Sequence, residues 1–179
     1  MFFHVRDLAV RAKQFDVEIA ASAIDFQQGA KDKDTNLRQA GPLKVAGKAE
    51  LVMESLGEIK VSGHITVEMT ADCDRCLEPA RFPIDSDFSL FYRPVEEGYG
   101  DEKEIDTGEA EMGFYEGDGL ELNDVISEFV LLTLPMQRVC GESCKGICPA
   151  CGQNRNLREC GCQREVADDR WAALKSLKT

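Results

Sequence analysis

Eight cysteines fall into four close groups: Cys73-Asp-Arg-Cys76, Cys140-Gly-Glu-Ser-Cys144, Cys148-Pro-Ala-Cys151 and Cys160-Gly-Cys162. Thiolates spaced this tightly are soft ligands of the kind zinc gathers into a tetrahedron. In Cys148-Pro-Ala-Cys151-Gly152 the pair has the spacing of a knuckle, whose turn aims backbone amides at sulfur while the glycine relieves crowding. Gly161 lets Cys160 and Cys162 fold back onto it. Cys148, Cys151, Cys160 and Cys162 are therefore expected to hold one zinc. Cys73, Cys76, Cys140 and Cys144 make a second complete set, so the expectation is one zinc or two. Two alternatives stay open for that second set: a redox dithiol at Cys73 and Cys76, or four bystander thiols beside a single metal.

Other uses of the thiols fit less well. A disulfide framework belongs to an oxidising compartment, and the start MFFHVRDLAV lacks the basic, apolar and small-residue regions of an export signal. A catalytic dithiol normally opens a helix, whose dipole lowers a thiol pKa; here LEPARFPI follows, with two prolines. Iron–sulfur spacings run C-x2-C-x2-C or C-x4-C-x2-C, unlike residues 140–151. A catalytic zinc keeps an open position, which four cysteines do not leave. His4 and His64 read as surface residues, and neither a phosphate loop nor a nucleophile elbow is present. The expectation is a protein that is not an enzyme and takes no small-molecule substrate.

The formal charge of −12 is unevenly spread. Residues 1–137 carry 28 acids against 13 bases, and residues 138–179 carry 5 acids against 8 bases. Affinity for phosphate comes mainly from Lys and Arg, so the tail is the better place for RNA and the acidic body the better place for a basic protein. Arg75, Lys145, Arg155 and Arg158 are the candidate RNA or partner contacts. A tetrathiolate zinc keeps two net negative charges, so these same bases serve equally as counterions. Nothing approaches a membrane span, and the expected location is the cytoplasm of a prokaryote, or an organelle if a transit peptide has been removed.

The elements that must position the thiols are legible upstream. In EIKVSGHITVEMTADC, residues 58–73, apolar positions alternate strictly from Ile59 to Cys73. That is a long strand with one buried and one wet face. LKVAGKAELVM at 43–53 keeps the same rhythm, and ESLG suits the hairpin between them. Phe82, Ile84, Phe88 and Leu90 mark a third strand, and segments near 2–8 and 15–26 are expected to add edges. An acidic, glycine-rich stretch at 96–122 reads as a solvated loop with a short strand near 113–115, or else as a docking arm for a basic partner. NDVISEFVLLTL at 123–134 predicts a helix capped by Asn123 or Asp124, apolar at 125, 126, 129, 130 and 132, and stopped by Pro135. A last helix is expected at 168–177, anchored by Trp171 and Leu174. The fold class is α+β: a curled, barrel-like antiparallel sheet with one packed helix over 1–137, then a zinc module with its helix over 138–179.

CDRCLEP at 73–79, and the tail CGESCKGICPACGQNRN with CGC and DDRWAALKSL, resemble the YceD family of bacterial and plastid proteins, called large ribosomal RNA subunit accumulation proteins. Cys73, Arg75 and Cys76 match the first motif, and the other six cysteines match the tail. Where the family's tail usually reads Asn-Leu-Asn, this chain has Asn154-Arg155-Asn156. The resemblance implies a non-enzymatic role in accumulating large-subunit ribosomal RNA, with the RNA precursor or a basic ribosomal protein as partner, and no catalytic residues. A zinc-dependent interaction module without a ribosomal link is the alternative, with the dithiol protein behind it.

Overall fold

The computed structural model describes residues 1–26, 36–53, 55–95 and 112–162. The expected helix at 168–177 and the acidic stretch as far as 111 lie outside them.

The two longest strands, β5 (Ile59–Asp72) and β6 (Pro79–Pro94), form an antiparallel hairpin paired along its whole length, from Ile59↔Tyr92 to Asp72↔Pro79. The alternation read from sequence is what orients it: Ile59, Val61, Ile65, Val67, Met69 and Ala71 are buried, as are Ala80, Phe82, Ile84, Phe88 and Tyr92. β4 (Leu43–Leu51) pairs with the other edge of β5, and β2 (Lys13–Ile19) pairs with β4, both antiparallel. The short β3 (Arg38–Gln39) also pairs with β5. The turn between β4 and β5 is closed by Gly57 at φ +94°, by Ser55, whose hydroxyl accepts from Glu58 N, and by Tyr115, whose hydroxyl donates to Gly57 O at 2.6 Å.

Three features differ from the expected barrel. With β7 (Met112–Tyr115) at the far edge, the strand order β2-β4-β5-β6-β7 is open, since its end strands β2 and β7 do not pair; closure requires that last ladder. β7 joins the free edge of β6 in parallel, from Phe91↔Met112 to Pro94↔Tyr115. β1 (Phe2–His4) leaves the sheet altogether and pairs with β8 (Gly119–Glu121), a strand that falls inside the stretch read as loop.

Helices also shift. The edge strand expected near 2–8 stops at His4, and Val5–Val10 forms the short helix α1, which buries Leu8. The second helix, α2, spans Leu122–Thr133 and buries Leu122, Val125, Ile126 and Val130. It lies on the sheet, with the rings of Phe88 and Phe129 5.3 Å apart. Its N-cap is Glu121, without a side-chain cap bond, rather than Asn123 or Asp124, because Leu122 is needed inside and its N–H is already bound to Met1 O. Leu132, read as part of the apolar face, is 74% exposed.

Candidate metal centre

The hairpin of β5 and β6 ends in the turn that carries Cys73 and Cys76. Cys73 N donates to Glu78 O at 2.9 Å, and Leu77 N donates back to Cys73 O at 2.9 Å. To close this turn Leu77 takes φ +62°, a left-handed conformation that a side chain disfavours. Helix α2 ends before Pro135, and the chain then runs back over the turn. There Asp74 N donates to Arg138 O at 2.7 Å, while the Asp74 carboxylate accepts Arg138 N at 2.6 Å. That docking brings Cys140 and Cys144 above the knuckle, with Cys140 N donating to Cys73 Sγ at 3.3 Å.

The four sulfurs of Cys73, Cys76, Cys140 and Cys144 lie within 4.8 Å of one another. Cys73 and Cys144 are 3.9 Å apart, and Cys76 and Cys140 are 3.7 Å apart. A tetrahedron with metal–sulfur arms of about 2.3 Å has edges of about 3.8 Å, whereas a disulfide brings its sulfurs to about 2.05 Å. These are free thiols at ligand spacing.

The second quartet, Cys148, Cys151, Cys160 and Cys162, also has its sulfurs within 4.8 Å of one another. Here Cys148 N donates to Gln153 O and Gly152 N to Cys148 O, both at 2.8 Å, with Gly152 at φ +72° in the place Leu77 holds in the first knuckle. Backbone amides two residues on point at the sulfurs of Cys73, Cys76, Cys144, Cys148 and Cys160. Such N–H groups favour the thiolate, the form a metal takes.

Within each quartet the thiols cannot all ionise together. Burial works against the Cys73 thiolate, but amides of Arg75, Cys140 and Cys76 outweigh it and hold the group at about 6. Hydrogen bonding to Cys144 and Cys76 pushes its neighbour Cys140 up to about 12. In the tail, amides of Ala150 and Cys151 hold Cys148 at about 6, while hydrogen bonds with Cys151 and Cys160 push Cys162 up to about 12. Four thiolates this close repel one another, and a divalent cation at the centre is what lets all four carry charge.

The quartets are stitched together. Gly146, at φ +69°, passes so close to the first knuckle that a Cβ there would lie 2.9 Å from Arg75 O, and the next residue, Ile147, donates its N–H to that oxygen at 2.8 Å. Asn156 reaches back from the tail: its amide nitrogen lies 3.3 Å from Cys144 Sγ, and its carbonyl oxygen accepts Lys145 N at 2.8 Å. Asp74, Gly146 and Asn156 went unread as site residues in the sequence. The Asn-x-Asn after the knuckle and the glycine between the ligand sets were the available signals.

The four basic candidates share this end of the molecule but not one role. Arg75 donates to Gln137 Oε1 at 3.4 Å, and Lys145 pairs with Glu159 at 3.3 Å. Arg155 and Arg158 are exposed and their guanidinium groups make no ion pair among the described residues. The first quartet draws two thiols from each side of the boundary expected at 137. His64 lies on the wet face between Asp85 and Asp87, away from both quartets.

The family model described as large ribosomal RNA subunit accumulation protein YceD matches residues 61–178. A chloroplastic protein of Arabidopsis thaliana, named as a large ribosomal RNA subunit accumulation protein YCED homolog, is 28% identical over 71% of this chain and 46% of its own length. Its counterpart in Zea mays is 26% identical over 86% of this chain and 57% of its own. An uncharacterized protein of Mycobacterium tuberculosis is 34% identical over 70% of this chain and 58% of its own. The chain thus spans about half the length of these relatives. No solved structure matches.

Proposed function

The chain belongs to the YceD family, and from that membership we propose that it is a non-enzymatic factor for large ribosomal subunit biogenesis, supporting accumulation of large-subunit ribosomal RNA. The observation that carries the reading is the reach of the family match, from β5 through both cysteine quartets. The sheet is the scaffold, and the paired knuckle and tail form a rigid platform for the ribosomal RNA precursor or a basic ribosomal protein. Arg155 and Arg158 are the side chains free to touch it, and Arg75 and Lys145 flank them.

Each quartet binds one zinc in this reading: Cys73, Cys76, Cys140 and Cys144 hold the first, Cys148, Cys151, Cys160 and Cys162 the second. Zinc supplies no reaction here; with four thiolates there is no open position, and its contribution is folding free energy. A segment of this size rarely folds unaided, so residues 138–162 take their shape from the metals and are tied to the sheet through Cys73 and Cys76. A redox role for Cys73 and Cys76 is disfavoured because Cys73 is 0% exposed and out of reach of a substrate disulfide. No helix among the described residues is long and apolar enough to cross a membrane, and the site of action is the cytoplasm in a bacterium, the plastid in a plant.

The test is co-sedimentation of the tagged chain with large-subunit precursors, alongside the ratio of large- to small-subunit ribosomal RNA in cells lacking it. Association with precursors and a depressed ratio are expected. A chain that stays at the top of the gradient, in cells with an unchanged ratio, would leave only the general zinc-dependent interaction module.

A further inference from the structure

At the far side of α2 from its C-terminal metal centre, the β1–β8 pair, β7 and the first turns of the helix enclose a cleft of about 350 Å³. That is near the low end for small-ligand sites and suits one long side chain rather than a cofactor. Its walls are aromatic: Phe2, Tyr92 and Phe114, of which Phe2 is 40% and Phe114 57% exposed. Its rim is acidic, carrying Glu116, Glu121, Asp124 and Glu128, and no basic residue lines it.

Two of the rim carboxylates are engaged. Glu128 accepts the Tyr92 hydroxyl at 2.7 Å, and Glu121 holds the Met1 α-ammonium at 2.7 Å, so the rim already binds one cation of the chain itself. The carboxylates of Glu116 and Asp124 make no ion pair or hydrogen bond among the described residues. The field inside is negative: burial, then the bond and charge of Glu128, then the charge of Asp124, all push the Tyr92 hydroxyl above its ordinary range. Aromatic faces and carboxylates around one small space are the two features that attract a cation on an apolar stem.

We propose that the cleft between β7, β8 and α2 receives an arginine or lysine side chain of a basic protein partner, with its stem against Phe2 and Phe114 and its charge facing Asp124 and Glu116. The inference deepens the ribosomal reading by assigning protein contact to this end and leaving the basic tail for RNA. Phosphate is excluded from such a cleft by the rim.

The probe is a short arginine–glycine peptide titrated into the full zinc-loaded chain while the backbone amide spectrum is followed. Shifts confined to residues around Phe114, Gly119 and Asp124 are expected. They should be lost with the citrulline peptide and weakened about fivefold by Phe114→Ala or Asp124→Asn. Glu18→Gln, the same charge change on exposed β2, should leave them intact. Shifts spread over the acidic surface, equal weakening by Glu18→Gln, or a single-stranded RNA oligonucleotide moving the same amides would overturn the proposal. Co-sedimentation separates this claim from the one beneath it. Precursor binding with a cleft indifferent to the peptide defeats the cleft alone, and peptide binding without precursor association defeats the ribosomal reading alone.

Discussion

The sulfurs of Cys73 and Cys144 lie 3.9 Å apart although 71 residues separate them in the chain. One ends a strand whose inner face is core, and the other belongs to the run that follows a helix. A metal held at this point would close a long loop and so would link sheet and tail more than decorate either.

Native mass spectrometry of the reduced chain is expected to find two zinc ions. Cys144→Ser should lose one of them and keep the other, and Cys162→Ser should do the converse. Loss of both ions from either variant would mean that the quartets form one cooperative centre, and a reduced wild-type chain with none would remove the metal reading.

Chelation should deprotect backbone amides in residues 138–162 while those of β4, β5 and β6 stay slow to exchange. The sheet buries its own apolar face, whereas on the proposed reading the tail would hold its shape by coordination. Unchanged protection of the tail after complete zinc removal would show that its fold does not depend on metal.

Substitutions at two of the left-handed positions, Gly146 and Leu77, should act in opposite directions. Gly146→Ala meets both a disfavoured φ and the Arg75 carbonyl, at an expected cost of about 1–3 kcal/mol. Leu77 is 62% exposed at φ +62°, so Leu77→Asn should gain about 0.5–1 kcal/mol by relieving strain. Denaturant melts of the zinc-loaded chains check both.

Asn156→Ala should loosen the tail by about 1–2 kcal/mol, since it strips a hydrogen bond from Lys145 N and another from Cys144 Sγ. Asn156→Asp keeps the acceptor but sets a carboxylate against sulfur. It should therefore release the first zinc at lower chelator concentration than wild type, which a competition titration reads.

His64 should titrate above its ordinary 6.5, chiefly through its hydrogen bond to Asp87 and secondarily through the charge of Asp85. The raised value means that this contact stabilises the fold fully below the unfolded pKa and is lost as pH rises through the folded one. Imidazole proton shifts followed against pH should show the elevation in wild type and a fall in Asp87→Asn. Equal midpoints in the two chains would contradict it.

The quartets were legible because ligand type and spacing are local properties, and the knuckle and tight-pair patterns sort eight thiols into two fours. The β5 strand was legible for the same reason: strict alternation from Ile59 to Cys73 fixes which face is buried before any partner is known. The cap of α2 was misread because Asn123 and Asp124 are good caps locally, yet the core claims Leu122 and so starts the helix earlier. Val5–Val10 was misread because a six-residue stretch with valine at both ends has no helical period to show, and only burial of Leu8 decides it.

The sequence on its own therefore determined the type and spacing of the thiols and the periodicity of the strands beside them, since both depend on neighbours a few residues away. Tertiary structure alone decided that the sheet stays open, that β7 joins in parallel and that β1 leaves to pair with β8. It also decided that Asn156 reaches back to Cys144, and that Phe2, Phe114 and Asp124 come to face one cleft. Each of these relations depends on the path of the chain between distant segments, and a residue's type does not encode that path.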